Sequence, residues 1–188
     1  MSTVDMSFPT QWTVNVLEAR PLILPRRHYV YPLAVEEVER GALELMIYPA
    51  AGEPFVATCA LGFASHAVPT GVWACPDPAM LCAVSGGYAY LMDTRAPERW
   101  QQIGYRPVTE VRPAPAAGLL LFASFHSLEA WGPAGRLWQS KRLSWEGLRL
   151  GETTATELHG SGWDMRTDSE VPFVLDLKNG QHTGGPSF

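Results

Sequence analysis

Short apolar or alternating runs broken by glycine and proline recur along most of this chain. Trp12, Val14 and Val16 face Thr13 and Asn15 across such a run, so Trp12 to Leu17 reads as a β-strand, in which successive side chains point to opposite sides. Short apolar segments between turn residues predict further strands over Leu43–Tyr48, Phe55–Leu61, Gly71–Cys75, Leu81–Ser85, Tyr88–Asp93, Trp100–Tyr105, Val108–Arg112, Leu119–Phe125, Thr153–Leu158 and Val171–Leu177. Pro49 to Pro54, Pro76-Asp77-Pro78-Ala79, Thr94 to Glu98 and Asn179-Gly180 supply the turn chemistry between them. Leu119–Phe125 is apolar throughout and suits a strand covered on both faces. Only Ala34 to Arg40 has helical spacing: Ala34, Val35 and Val38 fall on one side, and Gly41 is the stop.

The stretch from Leu128 to Leu150 holds three of the seven tryptophans and reads as strand, turn, strand, turn, strand. Arg136 to Leu143, free of glycine and proline, is expected to continue as one strand. Trp131, Trp138 and Trp145 are seven apart, but the intervening breakers exclude one helix and place the indoles on hairpins. The spacing of Leu128, Ala130, Gly135 and Trp138 returns three times. It returns as Leu45, Ile47, Gly52, Phe55; as Tyr90, Met92, Pro97, Trp100; and as Phe173, Leu175, Gly180, Thr183. Turn positions recurring at roughly 40 residues are the mark of small sheets that cover one another's faces.

On these residues the chain resembles the repeats of β-propeller proteins, especially the tryptophan-bearing blades of the quinoprotein type. That resemblance implies blade-like units, each with a Gly-containing turn and a Trp-bearing strand. The expected fold is all-β: a single domain over 1–188, with 1–40 a less regular N-terminal segment and 41–188 four blade-like units. It is propeller-like, closed or partial; a β-sandwich or an irregular barrel is the alternative. At most one short helix, near 34–40, is expected, and Trp100 and Trp138 are expected in the core.

Composition narrows the function. The chain is 46% hydrophobic and 18% charged, enough to fill a core. With 17 glycines and 16 prolines it favours many short strands over long helices. A net charge of −5, with sparse basic residues, argues against nucleic acid as a partner, since phosphate binding needs a concentrated positive face. No apolar stretch approaches the ~20 residues of a membrane span, so no membrane partner is expected. The first residues carry neither a basic nor an apolar signal region, and the expected location is cytoplasmic. Cys59, Cys75 and Cys82 read as reduced, buried thiols, although Cys75 and Cys82 could pair across a hairpin.

Candidate chemistry concentrates in Glu157 to Asp168, read as a long polar loop in which Gly160 and Gly162 turn the chain. His159, Asp164 and Asp168 suit a divalent ion or acid–base work, although their spacing matches no metal motif. Asp164 equally suits an Asx turn. Trp163 in this loop is the candidate exposed ring for stacking on a ligand, with Asp164 beside it. Ser124 and His126 share a strand face, but Glu129 falls opposite, and no nucleophile elbow occurs. Gly86-Gly87 and Gly184-Gly185 lack the lysine and helix of a phosphate loop. The expectation is a binding or scaffold domain that contacts a small molecule or protein through its loops. It needs no cofactor and no metal, and its sheet edges could support a homo-oligomer. The alternative is a hydrolase using Asp164, Asp168 and His159.

Overall fold

The structure, a computed structural model, describes residues 2–33 and 38–188. Positions 34–37, most of the expected helix, lie outside the described residues. The protein is all-β: the described residues form β-strands and one 3-10 turn, Pro115–Ala117, and no helix among them is long and apolar enough to cross a membrane. The chain divides into two compact units, Met1–Pro107 and Val108–Phe188.

The first unit holds two sheets. One takes β2 (Trp12–Leu17), β4 (Ala42–Pro49), β5 (Phe55–Ala60) and β3 (His28–Tyr31), in that spatial order. The other takes β1 (Thr3–Asp5), β6 (Gly71–Ala74), β7 (Met80–Ser85), β8 (Tyr88–Asp93) and β9 (Trp100–Gln102). The first forty residues are thus more regular than expected: they supply three strands, two of them edges of the β4–β5 sheet. Directly paired residues share a face, so Leu43, Leu45, Ile47, Phe55, Ala57, Cys59 and Tyr31 form one apolar side, all buried. Three aromatic side chains place their polar atom on a main-chain carbonyl elsewhere in the unit. Trp12 Nε1 donates to Met80 O (3.0 Å), Tyr31 Oη to Pro97 O (2.8 Å), and Tyr90 Oη to Ala60 O (3.0 Å).

The second unit holds two four-stranded antiparallel meanders. They are β10 (Glu110–Ala114), β11 (Leu119–Ala123), β12 (Leu128–Gly132), β13 (Gly135–Gln139), and β14 (Leu148–Thr153), β15 (Glu157–Asp164), β16 (Ser169–Asp176), β17 (His182–Gly184). Every residue of β11 is buried, as the uninterrupted apolar run requires. Leu121, Leu128, Ala130 and Trp138 of one sheet pack with Leu158, Phe173 and Leu175 of the other in a single core. Trp138 lies against the β16–β17 turn: its indole N–H donates to Leu177 O at 2.8 Å, and its ring covers Gly180, whose φ of +71° suits glycine.

Several expectations need correction. Trp100 is half-buried rather than in the core, and Thr153–Leu158 is not one strand, since β14 ends at Thr153 and β15 begins at Glu157. The strand predicted from Arg136 to Leu143 ends at Gln139, because Leu143 N–H leaves the ladder to bond His126 O at 2.7 Å. Glu157 to Asp164 is a central strand, not a loop, paired on both sides. The turn residues are also not fully equivalent. Pro97, Gly135 and Gly180 fall between the third and fourth strands of a meander, whereas Gly52 joins the two inner strands of its sheet. The three cysteines are free and buried.

Candidate functional site

The residues singled out in 157–168 do not converge. On β15, Glu157, His159, Ser161 and Trp163 share one face, while Leu158, Gly160, Gly162 and Asp164 share the other, toward the core. Trp163 and Asp164 therefore point to opposite sides, and Trp163 is half-buried rather than exposed. His159 and Asp164 also face apart, and at ~3.3 Å per residue they sit about 16 Å apart along the strand. His159 Nε2 lies 3.5 Å from Glu157 Oε2 on the outward face. Asp164 is buried, and its Oδ1 accepts the Arg166 N–H at 2.9 Å, an Asx turn opening the connection to β16. Asp168 closes that connection at φ 48°. Among the described residues no three His, Cys, Asp or Glu side chains are grouped so as to hold a metal ion.

Ser124 is likewise spent on a turn. Its Oγ accepts the N–H groups of His126 (3.2 Å) and Ser127 (3.1 Å). Glu129 is buried, takes the Trp131 indole N–H at 2.8 Å, and has its carboxyl pKa pushed up by burial. Neither residue is placed to activate the other.

A different part of the second unit forms a cleft. The Pro115–Ala117 turn, the connection before β15 and the turn after β16 lie together at one end of the two sheets, beside Leu137 of β13. Between them lies a half-open groove of about 590 Å³. Ala117, Leu119, Leu137 and Leu177 give it an apolar floor, and Thr156, Glu157, Asp176 and Lys178 a charged rim. A smaller recess of about 240 Å³, lined by His182 and Thr183, shares Glu157 and Asp176 with it. Asp176 is fixed in place: Oδ1 accepts the Lys178 N–H (2.8 Å) and Oδ2 the Asn179 amide (2.9 Å). Burial, then the charge of Lys141, holds the His182 pKa below its usual value, which leaves the ring neutral at pH 7. The cleft has the size and the apolar-floor, polar-rim pattern of small-molecule sites. Its residues come from four separated segments, which is why no local motif announces it.

The first unit carries a polar chain that strand alternation alone does not reveal. Glu44, on the face of β4 away from the apolar side, is buried; its Oε1 accepts Arg20 Nε–H (2.9 Å) and its Oε2 accepts the Thr58 hydroxyl (2.6 Å). Thr58 Oγ1 lies 2.9 Å from His28 Nε2. Because the Thr58 proton goes to the carboxylate, His28 must donate from Nε2, which leaves Nδ1 as the unprotonated nitrogen. Desolvation, then Arg20, lowers the His28 pKa against the opposing pull of Glu44.

These two histidines set an acid dependence. Both folded pKa values lie below the ordinary 6.5, so the unfolded chain takes up their protons first. The stability they contribute is complete above 6.5 and is lost as pH falls through the lowered folded values. Urea midpoints are expected to fall from about pH 7.5 to about pH 5.5, and to fall less in His28→Gln, which keeps an amide donor toward Thr58. An equal fall in both proteins would mean that His28 is not one of the responsible groups.

Compared with known proteins, the chain matches no family model and no curated relative.

Proposed function

We propose that the protein is a binding module rather than an enzyme, and that the cleft of the second unit is its ligand site. The observation that supports this reading is a half-open cleft of about 590 Å³ with a leucine-rich floor, bordered by turns from both sheets. The rim carries Glu157 and Asp176 against the single cation Lys178, so it favours a ligand with an apolar body and a cationic head. The floor removes the apolar body from water, and the carboxylates orient the head. Loops on a rigid β framework suit recognition, because the strands fix where the turns stand.

We infer further that three of the sheets, through β6–β9, β10–β13 and β14–β17, are blade-like copies of one unit. Pro97, Gly135 and Gly180 hold the same place between third and fourth strands, and Asp93 and Asp176, each four residues before such a corner, bond the following turn.

The test uses benzylamine, which has the predicted apolar body and amine. Wild-type protein is expected to show a thermal shift that rises with benzylamine concentration, and Thr156→Trp, which places an indole at the rim, is expected to lose it. Benzyl alcohol, lacking the charge, is expected to shift the transition less. Equal shifts in wild type and Thr156→Trp would remove the cleft from the account.

A further inference from the structure

The connection between β2 and β3 has an arrangement that the proposed binding function does not use. β2 is antiparallel to β4, β4 is antiparallel to β5, and β3 is parallel to β5. β2 and β3 therefore run the same way at opposite edges of the sheet, and residues 18–27 must return along the strand direction between them. Arg20 near the start of this crossover holds Glu44, and His28 at its end meets Thr58, which donates to the same carboxylate. Both ends of the crossover are thus fastened to neighbouring strands by one hydrogen-bonded chain.

Between those fastenings the sequence is Pro21-Leu22-Ile23-Leu24-Pro25. Leu22 is 104% exposed and Ile23 90%, with Leu24 at 41%. Three consecutive aliphatic side chains standing this far into water are not the scattered exposed residues of an ordinary surface. The prolines at both ends restrict the backbone, so the row is presented without a large ordering cost. Arg26 and Arg27 follow at once. Arg20 is neutralised by Glu44, so the positive charge beside the tip is that of Arg26 and Arg27. Arg27 keeps its place through a bond to Glu53 O (2.7 Å) and through packing over the Tyr29 and Phe55 rings.

We propose that Leu22, Ile23 and Leu24 form a wedge that enters the interfacial region of an anionic lipid bilayer, with Arg26 and Arg27 against the headgroup phosphates. A narrow aliphatic row with adjacent arginines matches the two signals that peripheral membrane contacts combine: apolar insertion and attraction to acidic lipid. A protein partner is the less favoured occupant. Protein interfaces rest on flat patches anchored by aromatic side chains, and this tip is a row with none. The proposal concerns contact with a membrane surface, not a crossing. In a chain of net charge −5, a local positive tip also sets which side approaches the lipid.

The experiment is vesicle co-sedimentation of the full chain. The vesicles are phosphatidylcholine alone, or phosphatidylcholine with about 30% phosphatidylserine. The wild type is expected to sediment with the acidic vesicles and much less with the neutral ones, and to be released by high salt. Replacing Leu22, Ile23 and Leu24 together by serine is expected to lower the partition at least about tenfold, and Arg26→Glu several-fold. Met165→Ser, at an exposed apolar residue of the second unit outside the cleft, is expected to bind as the wild type does. Leu22→Ser and Ile23→Ser alone, at almost fully exposed positions, carry the test if the triple variant does not fold. Failure of the wild type to bind acidic vesicles overturns the proposal, as does undiminished binding by the serine variants. A wild-type dimer in gel filtration that the serine variants abolish, without vesicle binding, would assign the tip to a second copy of this chain instead.

Discussion

Trp138→Ala is expected to reduce the unfolding free energy by about 3–5 kcal/mol, the range of large aromatic truncations in cores. The indole is only 8% exposed and does two things at once. It fills the core between the β10–β13 and β14–β17 sheets, where Leu128, Ala130, Leu158 and Leu175 also meet. Its N–H satisfies the Leu177 carbonyl of the other sheet. Alanine would leave a cavity and remove the donor from a buried acceptor, and the two losses add. The β16–β17 turn cannot readily close the gap, because Gly180 N–H is already bonded to Asp176 O at 2.8 Å. Trp163→Ala is the comparison: this ring is half-buried on the outward face of β15 and should cost far less. Urea denaturation of both variants gives the order, and a larger loss at Trp163 would contradict the core described here.

Gly162→Ala is the second large effect, expected to cost about 3 kcal/mol, the upper end of ordinary overpacking. A Cβ at this position would stand 1.9 Å from Leu143 O and 3.1 Å from Ser144 Cα. Both are backbone atoms, so no rotamer change relieves the overlap. The segment they belong to is held by Leu143 N–H on His126 O (2.7 Å), Trp145 N–H on Trp163 O (3.0 Å) and Trp163 N–H on Ser144 Oγ (2.9 Å). Moving it breaks bonds on both sides. Gly104→Ala is the control, since nothing lies within 4 Å of a Cβ there. Equal denaturation midpoints for the two variants would mean that the approach of Leu143 to β15 is not as described.

The same glycine shows how far the sequence could be read. Gly160 and Gly162 inside a polar string look like loop residues, which hides the strand alternation there. They are in phase with Leu158 on the inward face, where small residues admit a crossing backbone and the Phe173 ring. An alternation of leucine, glycine, glycine and aspartate was the available signal. His159, Asp164 and Asp168 come together only on a loop; the strand sets His159 and Asp164 on different faces and leaves Asp168 in the connection beyond it.

Elsewhere local pattern sufficed. The strand at Trp12–Leu17 follows from alternation, because a half-buried pleated strand imposes its period on the side chains, and those at Tyr88–Asp93 and Leu119 onward follow from short apolar runs that suit strands covered on both faces. Pairing partners do not follow from local pattern. Gly52 occurs at the expected spacing yet joins inner strands, since its sheet takes both edges from β2 and β3, far earlier in the chain. Glu44 sits between two leucines and reads as a solvent-facing strand residue; it is buried because Arg20 and His28, from the crossover, close over that face. The cleft at Leu119, Leu137 and Leu177 needs three turns to meet, and no one of them contains it.

The most direct test of the binding reading is a methyl-resolved NMR titration of the full chain with benzylamine. The methyl groups of Leu119, Leu137 and Leu177 are predicted to shift together and to saturate along one binding curve, while those of Leu45 and Ile47 in the first unit stay in place. Shifts scattered over both units, or none at the three leucines, would contradict the assignment of the cleft as the ligand site.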